Sequence, residues 1–351
     1  MNANQSITER PRFLGATPRQ TIVNVLLLAA MLLLPLAAHA GDQPFWLDFA
    51  TRIVILAIAA VTLNFILGFG GLVSFGHAAF VGIGAYAVGI PAYYDIGNGF
   101  VHLAVAMLAG ALFALVTGAV SLRTRGIHFI MITMAFAQMV YFGVVSIEEY
   151  GGDDGLVIYS RSELPFIDLG ENLNLFLFCY GTLLIVLYLV HRFVNSRFGM
   201  VLQGGKDNEQ RMSAVGFDVY GYRLVAYVIS GALCALAGAL LGNFTSFISP
   251  EMMDWTRSGE LIFMVILGGT ATIFGPVLGA ALFLLLEELL SGASGILCLV
   301  LECGDHTAGL QAWLDEWSVY WHLPFGLILI LTVLFAKGGL IRLLYGPEKR
   351  P

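Results

Sequence analysis

The chain has 351 residues, 58% of them apolar and 12% charged, with a formal net charge of −7 and a mean hydropathy of +0.83. A soluble domain carries about 25% charged residues, so the composition excludes a soluble enzyme and predicts an all-α, polytopic integral membrane protein. The four cysteines form no CxxC pair and have no zinc-like spacing to histidine, so neither a metal site nor a cofactor is expected.

At the N-terminus, Arg10, Arg12 and Arg19 precede an apolar run from Ile22 to Ala38 that ends in A-H-A-G. This is the outline of a secretory signal. The run nevertheless approaches the roughly 17–25 residues of a full span, and the expectation is an uncleaved first helix behind a cytoplasmic tail of residues 1–20. Apolar stretches recur near 50–69, 72–94, 100–122, 127–146, 174–194 and 223–245. Residues 261–290 are apolar but interrupted by G-G-T-A-T-I-F-G-P at Gly268 to Pro276, which reads as two short spans or a re-entrant hairpin. A last span lies near 323–341. The chain is therefore expected to form one transmembrane domain over residues 1–351, with about ten transmembrane helices, or about eight plus a hairpin, and Gly-rich broken or re-entrant segments. Either count puts both termini on one side of the membrane.

The basic residues choose the side. With the N-terminus inside, all but Arg52, Arg161 and Arg257 of the 17 Lys and Arg residues fall in the cytoplasm. The acidic residues concentrate outside, from Glu148 and Glu149 through Glu251, Asp254, Glu287 and Glu288 to Asp315 and Glu316. The inner bacterial membrane is the expected location, with both termini cytoplasmic.

The soluble segments are short: a loop near 148–172 outside, one near 195–222 inside, and an exterior segment at 291–322. None is large enough to fold alone, since a core below about 40 residues is rarely sufficient. There is no P-loop and no GxGxxG fingerprint. Energy must come from a partner or an ion gradient, and no nucleic-acid partner is expected. In the exterior segment, Cys298 and Cys303 are a candidate disulfide, the alternative being two thiols in an apolar turn. Trp313, Trp317, Tyr320 and Trp321 there read as interfacial anchors.

Seven glycines crowd between Asn64 and Gly89. In a bilayer, small residues let helix backbones approach closely, so Gly76, Ala79, Gly82, Ala85 and Gly89 are expected to form a packing face. The portion from Gly68 to Gly76 has a sharper reading. A G-F-G-G turn followed by Ser74 and His77 would break the helix at membrane depth, which is tolerated only where backbone is buried in protein or lines a wet cavity, as in transporters. The candidate translocation path is Asn64, Gly70, Gly71, Ser74, Gly76 and His77, joined by Gly268, Gly269 and Thr270 of the second glycine segment. Helix ends at Gly70–Ser74 and Gly268–Thr272 could offer backbone N–H groups to a carboxylate. Ser74 and His77 do not form a G-x-S-x-G elbow, and His77 is read as a hydrogen-bonded packing histidine rather than a base.

The cytoplasmic loop runs R-F-G-M-V-L-Q-G-G-K-D-N-E-Q-R-M-S-A-V-G-F-D-V-Y-G-Y-R-L from Arg197 to Leu224. Asp207, Asn208 and Glu209 suit a helix N-terminus, the helix runs through Ala214, and Gly216 is placed to end it in a left-handed conformation. The segment reads either as a solvated connector or as an element docking into a cytoplasmic partner.

These residues carry a resemblance. L-V-S-F-G-H-A-A-F-V-G-I-G-A-Y from Leu72, G-K-D-N-E with A-V-G-F-D-V, I-S-P at Ile248 and L-G-G-T-A-T-I-F-G-P-V-L-G-A from Leu267, in this order, resemble the larger permease subunit of ABC importers for branched-chain amino acids. The resemblance covers about Leu56 to Leu290. It implies a non-enzymatic transport subunit working with a second permease subunit, two cytoplasmic ATPase subunits, a periplasmic solute-binding protein and an amino acid substrate within the lipid bilayer. It also implies that Lys206, Asp207, Asn208, Glu209, Ala214 and Gly216 couple to the ATPase. Gln210, Arg211 and Met212 depart from the family's small residues. The neighbouring readings are a urea or short-amide ABC permease and an ion-coupled secondary transporter. The latter would place ionisable groups inside the spans, where His77 and His128 are the main candidates and Glu287 and Glu288 lie near an outer end.

Overall fold

The computed structural model describes residues 13–14, 17–165, 168–291, 322–335 and 338–345. Cys298, Cys303 and the aromatic stretch after them lie outside the described residues.

The first helix, α1 (Pro18–Ala40), opens with a capping box: Thr17 and Gln20 each take the other's backbone N–H, and Pro18 occupies the first turn. After a tight turn come α2 (Pro44–Asn64), a π turn at Phe65–Phe69, α3 (His77–Tyr93), α4 (Gly99–Ser121) and α5 (Ile127–Val145). The chain then forms α6 (Asn172–Val194), the short α7 (Arg197–Asp207) and α8 (Glu209–Ala214), and the long α9 (Val219–Thr245). A helical hairpin follows, α10 (Trp255–Gly268) and α11 (Gly275–Ser291), and the described chain ends with α12 (His322–Phe335) and α13 (Leu340–Tyr345).

Among the described residues, six helices are long and apolar enough to cross a membrane: α1, α2 with its π turn, α4, α5, α6 and α9. The described residues thus bear out an all-α membrane protein with broken segments, with six helices of full length where about ten helices, or eight plus a hairpin, are expected. The shortfall lies in α3, α10, α11 and α12, of 17, 14, 17 and 14 residues. At 1.5 Å per residue α10 and α11 reach about 21 and 26 Å, short of a bilayer core of about 30 Å. Glycine breaks divide the apolar runs into pieces.

Helix α2 is the hub, buried over 78% of its apolar window, whereas only 11% of the α1 window is buried. Leu26, Leu33 and Leu34 of α1, Leu108 and Leu112 of α4 and Met131 and Met139 of α5 point outward, as expected of surfaces facing lipid or a partner helix. Packing of α3 against α9 rests on small residues: Ala85, one of those expected, lies against Gly242, whereas Gly76, Gly82 and Gly89 face Thr133, Met253 and Ile248 instead. A Cβ at Gly84 would run into the Ala235 carbonyl, and one at Gly238 into that of Val81. Larger residues would force the helices apart, and with them the van der Waals contacts that hold helices together in lipid.

Two features were not foreseen. A two-residue strand β1 (Leu156–Val157) in the loop after α5 pairs antiparallel with β2 (Phe247–Ile248) after α9. At the opposite end of the bundle the two chain ends meet: Tyr345 Oη donates to Asn24 Oδ1 at 2.7 Å, and Asn24 Nδ2 donates to the Leu14 carbonyl at 2.7 Å.

Candidate functional site

The glycine-rich break begins where α2 widens into its π turn and stops. A helix end leaves carbonyls without partners, and here three of them find one. Leu72 N–H bonds the Ile66 carbonyl (3.0 Å) and Gly71 N–H the Leu67 carbonyl (3.1 Å). The Gly68 carbonyl accepts from Lys206 Nζ at 2.7 Å. Gly71 has φ of +70°, and a Cβ there would also press on the Lys206 stem at 2.8 Å. Glycine is therefore required twice at this one position.

The donors that open α3 are also engaged. Phe75 N–H bonds Thr133 Oγ1 (3.2 Å), Gly76 N–H bonds Ser74 Oγ (3.3 Å) and Ala78 N–H bonds Ser258 Oγ (2.9 Å). The N–H groups of this helix start are thus satisfied from α5 and α10, and a substrate carboxylate would have to compete for them. The N–H groups expected to meet an anion are those of Gly70–Ser74, one turn earlier, of which Gly71 and Leu72 close the end of the π turn.

His77 is fully buried. Ser230 Oγ donates to the Thr62 carbonyl at 2.6 Å, so its proton is committed and the 3.0 Å contact to His77 Nε2 requires the histidine to donate. Nδ1 is then an acceptor without a partner. Ser74 lies before the helix and does not bond His77; the histidine fastens α3 to α9 and α2, as its packing reading anticipates.

The second break meets the first. Between α10 and α11, Gly269 has φ of +129° and Ala271 of +59°. Asn64, 1% exposed, accepts from Ala271 N–H at 3.1 Å and donates to the Thr272 carbonyl at 2.7 Å. One side chain on α2 thus holds the tip of the hairpin, and the candidates Asn64, Gly268 and Gly269 come together. Gly70, Gly71, Ser74 and Gly76 line the neighbouring break.

The predicted helix is α8, and a second helix, α7, precedes it and meets it at Asn208. Its side chain caps α8 by accepting from Arg211 N–H at 2.9 Å, and Gly216 is left-handed with φ of +99°, as the spacing predicts. Glu209 turns inward, bonded to Arg125 and Arg223 at 2.8 Å each. Asp207, Ala214, Val215 and Phe217 remain exposed. Lys206, Gly68 and the hairpin tip form one connected assembly from this exposed loop to both glycine breaks.

Sequence reasoning missed a group of charges deeper in the bundle. Arg52, assigned to the exterior, sits within α2, roughly 12 Å along its axis from Pro44. It pairs with Glu287 of α11 at 3.3 Å, and Arg257 pairs with Glu260 on α10 at 3.0 Å. An arginine embedded in an apolar helix is the signal that could have found them.

A family model described as a branched-chain amino acid transport system permease component matches residues 45–334. The chain is 26% identical over 305 residues to the high-affinity branched-chain amino acid transport system permease protein LivM of Escherichia coli, covering 80% of this chain and 71% of the relative. It is 26% identical over 335 residues to the probable permease protein LivM of Methanocaldococcus jannaschii, covering 83% and 90%. To the probable permease protein LivH of the same archaeon it is 24% identical over 257 residues, covering 69% and 78%. No solved structure matches the chain. The glycine breaks, the apolar helices and the matched span agree: this chain belongs to the family of permease components of branched-chain amino acid transport systems.

Proposed function

We propose that the chain forms one half of the membrane path of an ATP-driven importer for branched-chain amino acids, pairing with a second permease subunit. Two cytoplasmic ATPase subunits and a periplasmic solute-binding protein complete the machine. Similarity to both a LivM and a LivH relative supports pairing of two related permeases. The end bearing α7, α8 and both chain termini faces the cytoplasm, in accord with its arginines and lysines.

The observation that carries this reading is the 2.7 Å bond from Lys206 to the Gly68 carbonyl. Lys206 ends α7, beside an exposed tip whose Val215 is 70% accessible. A partner that moves this tip moves the residue that completes the broken end of α2. Binding of nucleotide elsewhere can thereby reach the path through a chain of contacts. Lys206, Asp207, Asn208, Ala214 and Gly216 form the coupling element, while Glu209 braces it from behind.

Co-purification tests the reading. The tagged chain should recover ATPase and second-permease chains from membranes, and Val215→Asp should release the ATPase while the second permease stays bound. Uptake by vesicles that hold this chain alone, under an ion gradient without ATP, would overturn it.

A further inference from the structure

The four charges of Arg52, Glu287, Arg257 and Glu260 line one cavity of about 170 Å³ between α2, α3, α9, α10 and α11. The rest of its wall is apolar, including Val81, Leu241, Met264, Phe283 and Leu284. Their side chains are 23–48% exposed, but they stand on helices of a membrane bundle, where ionisable groups are costly and usually mark a substrate or ion path. Here their signs cancel, two arginines against two carboxylates, so the cavity is polar without being a net buried charge.

The pairs are also incompletely made. Arg52 approaches Glu287 through Nη2 alone, at 3.3 and 3.5 Å from the two oxygens. Tight pairs of this kind lie near 2.7–2.9 Å. Arg257 reaches Glu260 only through Nη1, and it also lies in the field of Glu287 and Glu251. Among the described residues, the remaining N–H groups of both guanidinium groups have no hydrogen-bond partner. A guanidinium fork offers five donors, so both arginines have N–H groups to turn to an incoming carboxylate as the loose pairs give way.

We propose that this cavity is a binding station for a zwitterionic α-amino acid with an aliphatic side chain, its carboxylate received by Arg257 and Arg52 and its ammonium group by Glu260 and Glu287. The proposal rests on the transport reading above and places the solute in this chain. A zwitterion adds no net charge to a neutral ring, and its own two charges exchange with the loose ion pairs rather than adding to them. The side chain lies against Val81, Met264 and Phe283. A station of this kind holds the solute briefly, because the charges it displaces re-form when it leaves.

The test uses the whole importer in proteoliposomes, with ATP on the ATPase side and saturating binding protein, reading uptake of radiolabelled leucine. Arg257→Gln and Glu260→Gln should each lower uptake about tenfold or more, while binding-protein-stimulated ATP hydrolysis stays within about twofold of wild type. Saturation-transfer NMR on the solubilised complex, without binding protein, should show leucine methyl signals that both variants lose and that leucinamide and 4-methylpentanoate fail to displace. Variants that transport leucine within about twofold of wild type, or keep the methyl signal, overturn the station. If the neutral variants do not assemble, Arg257→Lys and Glu260→Asp keep the charges, and each should raise the half-saturating concentration about fivefold; an unchanged value overturns the proposal. A wild-type complex that moves no amino acid under ATP overturns the transport reading itself.

Discussion

The molecule holds two clusters of arginine and carboxylate, and they are built differently. At the end bearing α7 and α8, Glu209 sits between Arg125 and Arg223 at 2.8 Å from each, and Arg223 Nη2 also donates to the Gly205 carbonyl at 3.0 Å. In the cavity, Arg52 and Glu287 stand 3.3 Å apart beside a second, local pair. The first cluster uses one carboxylate to tie the loop before α5 and the start of α9 to α8. The second leaves donors idle around an open space. The same residue types thus serve as a brace in one place and as an exchangeable surface in the other, and distance and the open space distinguish them, since Arg223 Nε in the brace also lacks a hydrogen-bond partner among the described residues.

The comparison breaks most visibly at Glu209. Arg223 has a side chain only 15% exposed, so Glu209→Ala leaves a largely buried guanidinium with one partner fewer. The expected loss is about 2 kcal/mol or more, between the values for exposed and buried pairs. It should appear as a lower apparent melting temperature of the assembled complex in detergent. A melting temperature equal to that of wild type would mean that the cluster is not a brace.

Asn64→Ala comes next. It strips the Ala271 N–H and the Thr272 carbonyl of their partner at once, at a cost of about 1–3 kcal/mol for each group that water cannot reach. Proteolysis or hydrogen exchange should show the hairpin tip opening before the rest of the chain, whereas exchange confined to the helix ends would refute the fastening role. Lys206→Met is expected to be milder in stability, at about 1 kcal/mol for one lost hydrogen bond. Its larger effect is functional: ATP hydrolysis by the complex continues while uptake falls. Equal loss of hydrolysis and uptake would show that Lys206 acts in assembly rather than in transmission.

Much of this arrangement can be read from the residues before any coordinates. Small residues at helical spacing announced a close packing face on α3 but not its partner, and Gly84, which meets Ala235 of α9, was not among them. Asn208 and Gly216 announced the ends of α8, because capping and left-handed backbone are local properties. The hairpin of α10 and α11 was among the readings of residues 261–290, whereas the shortness of α3 was not read from the run at 72–94. A window of hydropathy sees the apolar run but not the break that shortens it. The bonds of Asn64 to Thr272 and Lys206 to Gly68 join residues 208 and 138 positions apart, and no local pattern contains such a pairing. Arg52 was assigned to the exterior because charge-based topology treats arginine as a marker of loops, whereas Arg257, third in α10, stands beside one. An arginine that has a partner inside the bundle escapes that rule.

The smallest expected effect on stability is the sharpest contrast. Arg52 is 38% exposed and its bond to Glu287 is long, so the pair should contribute no more than about 1 kcal/mol, as partly exposed ion pairs do. Glu287→Gln keeps the shape and one acceptor, and the assembled complex should melt within about 4 °C of wild type, since about 1 kcal/mol moves a domain of this size by only about 2–4 °C. Uptake should nevertheless fall, because the ammonium group of the solute loses one of its two carboxylates. A variant that melts early and transports normally would assign Glu287 to the same structural class as Glu209, and the difference between the two clusters would vanish. A variant that melts normally and transports poorly separates them, since a brace cannot be removed without loss of stability and a binding surface can.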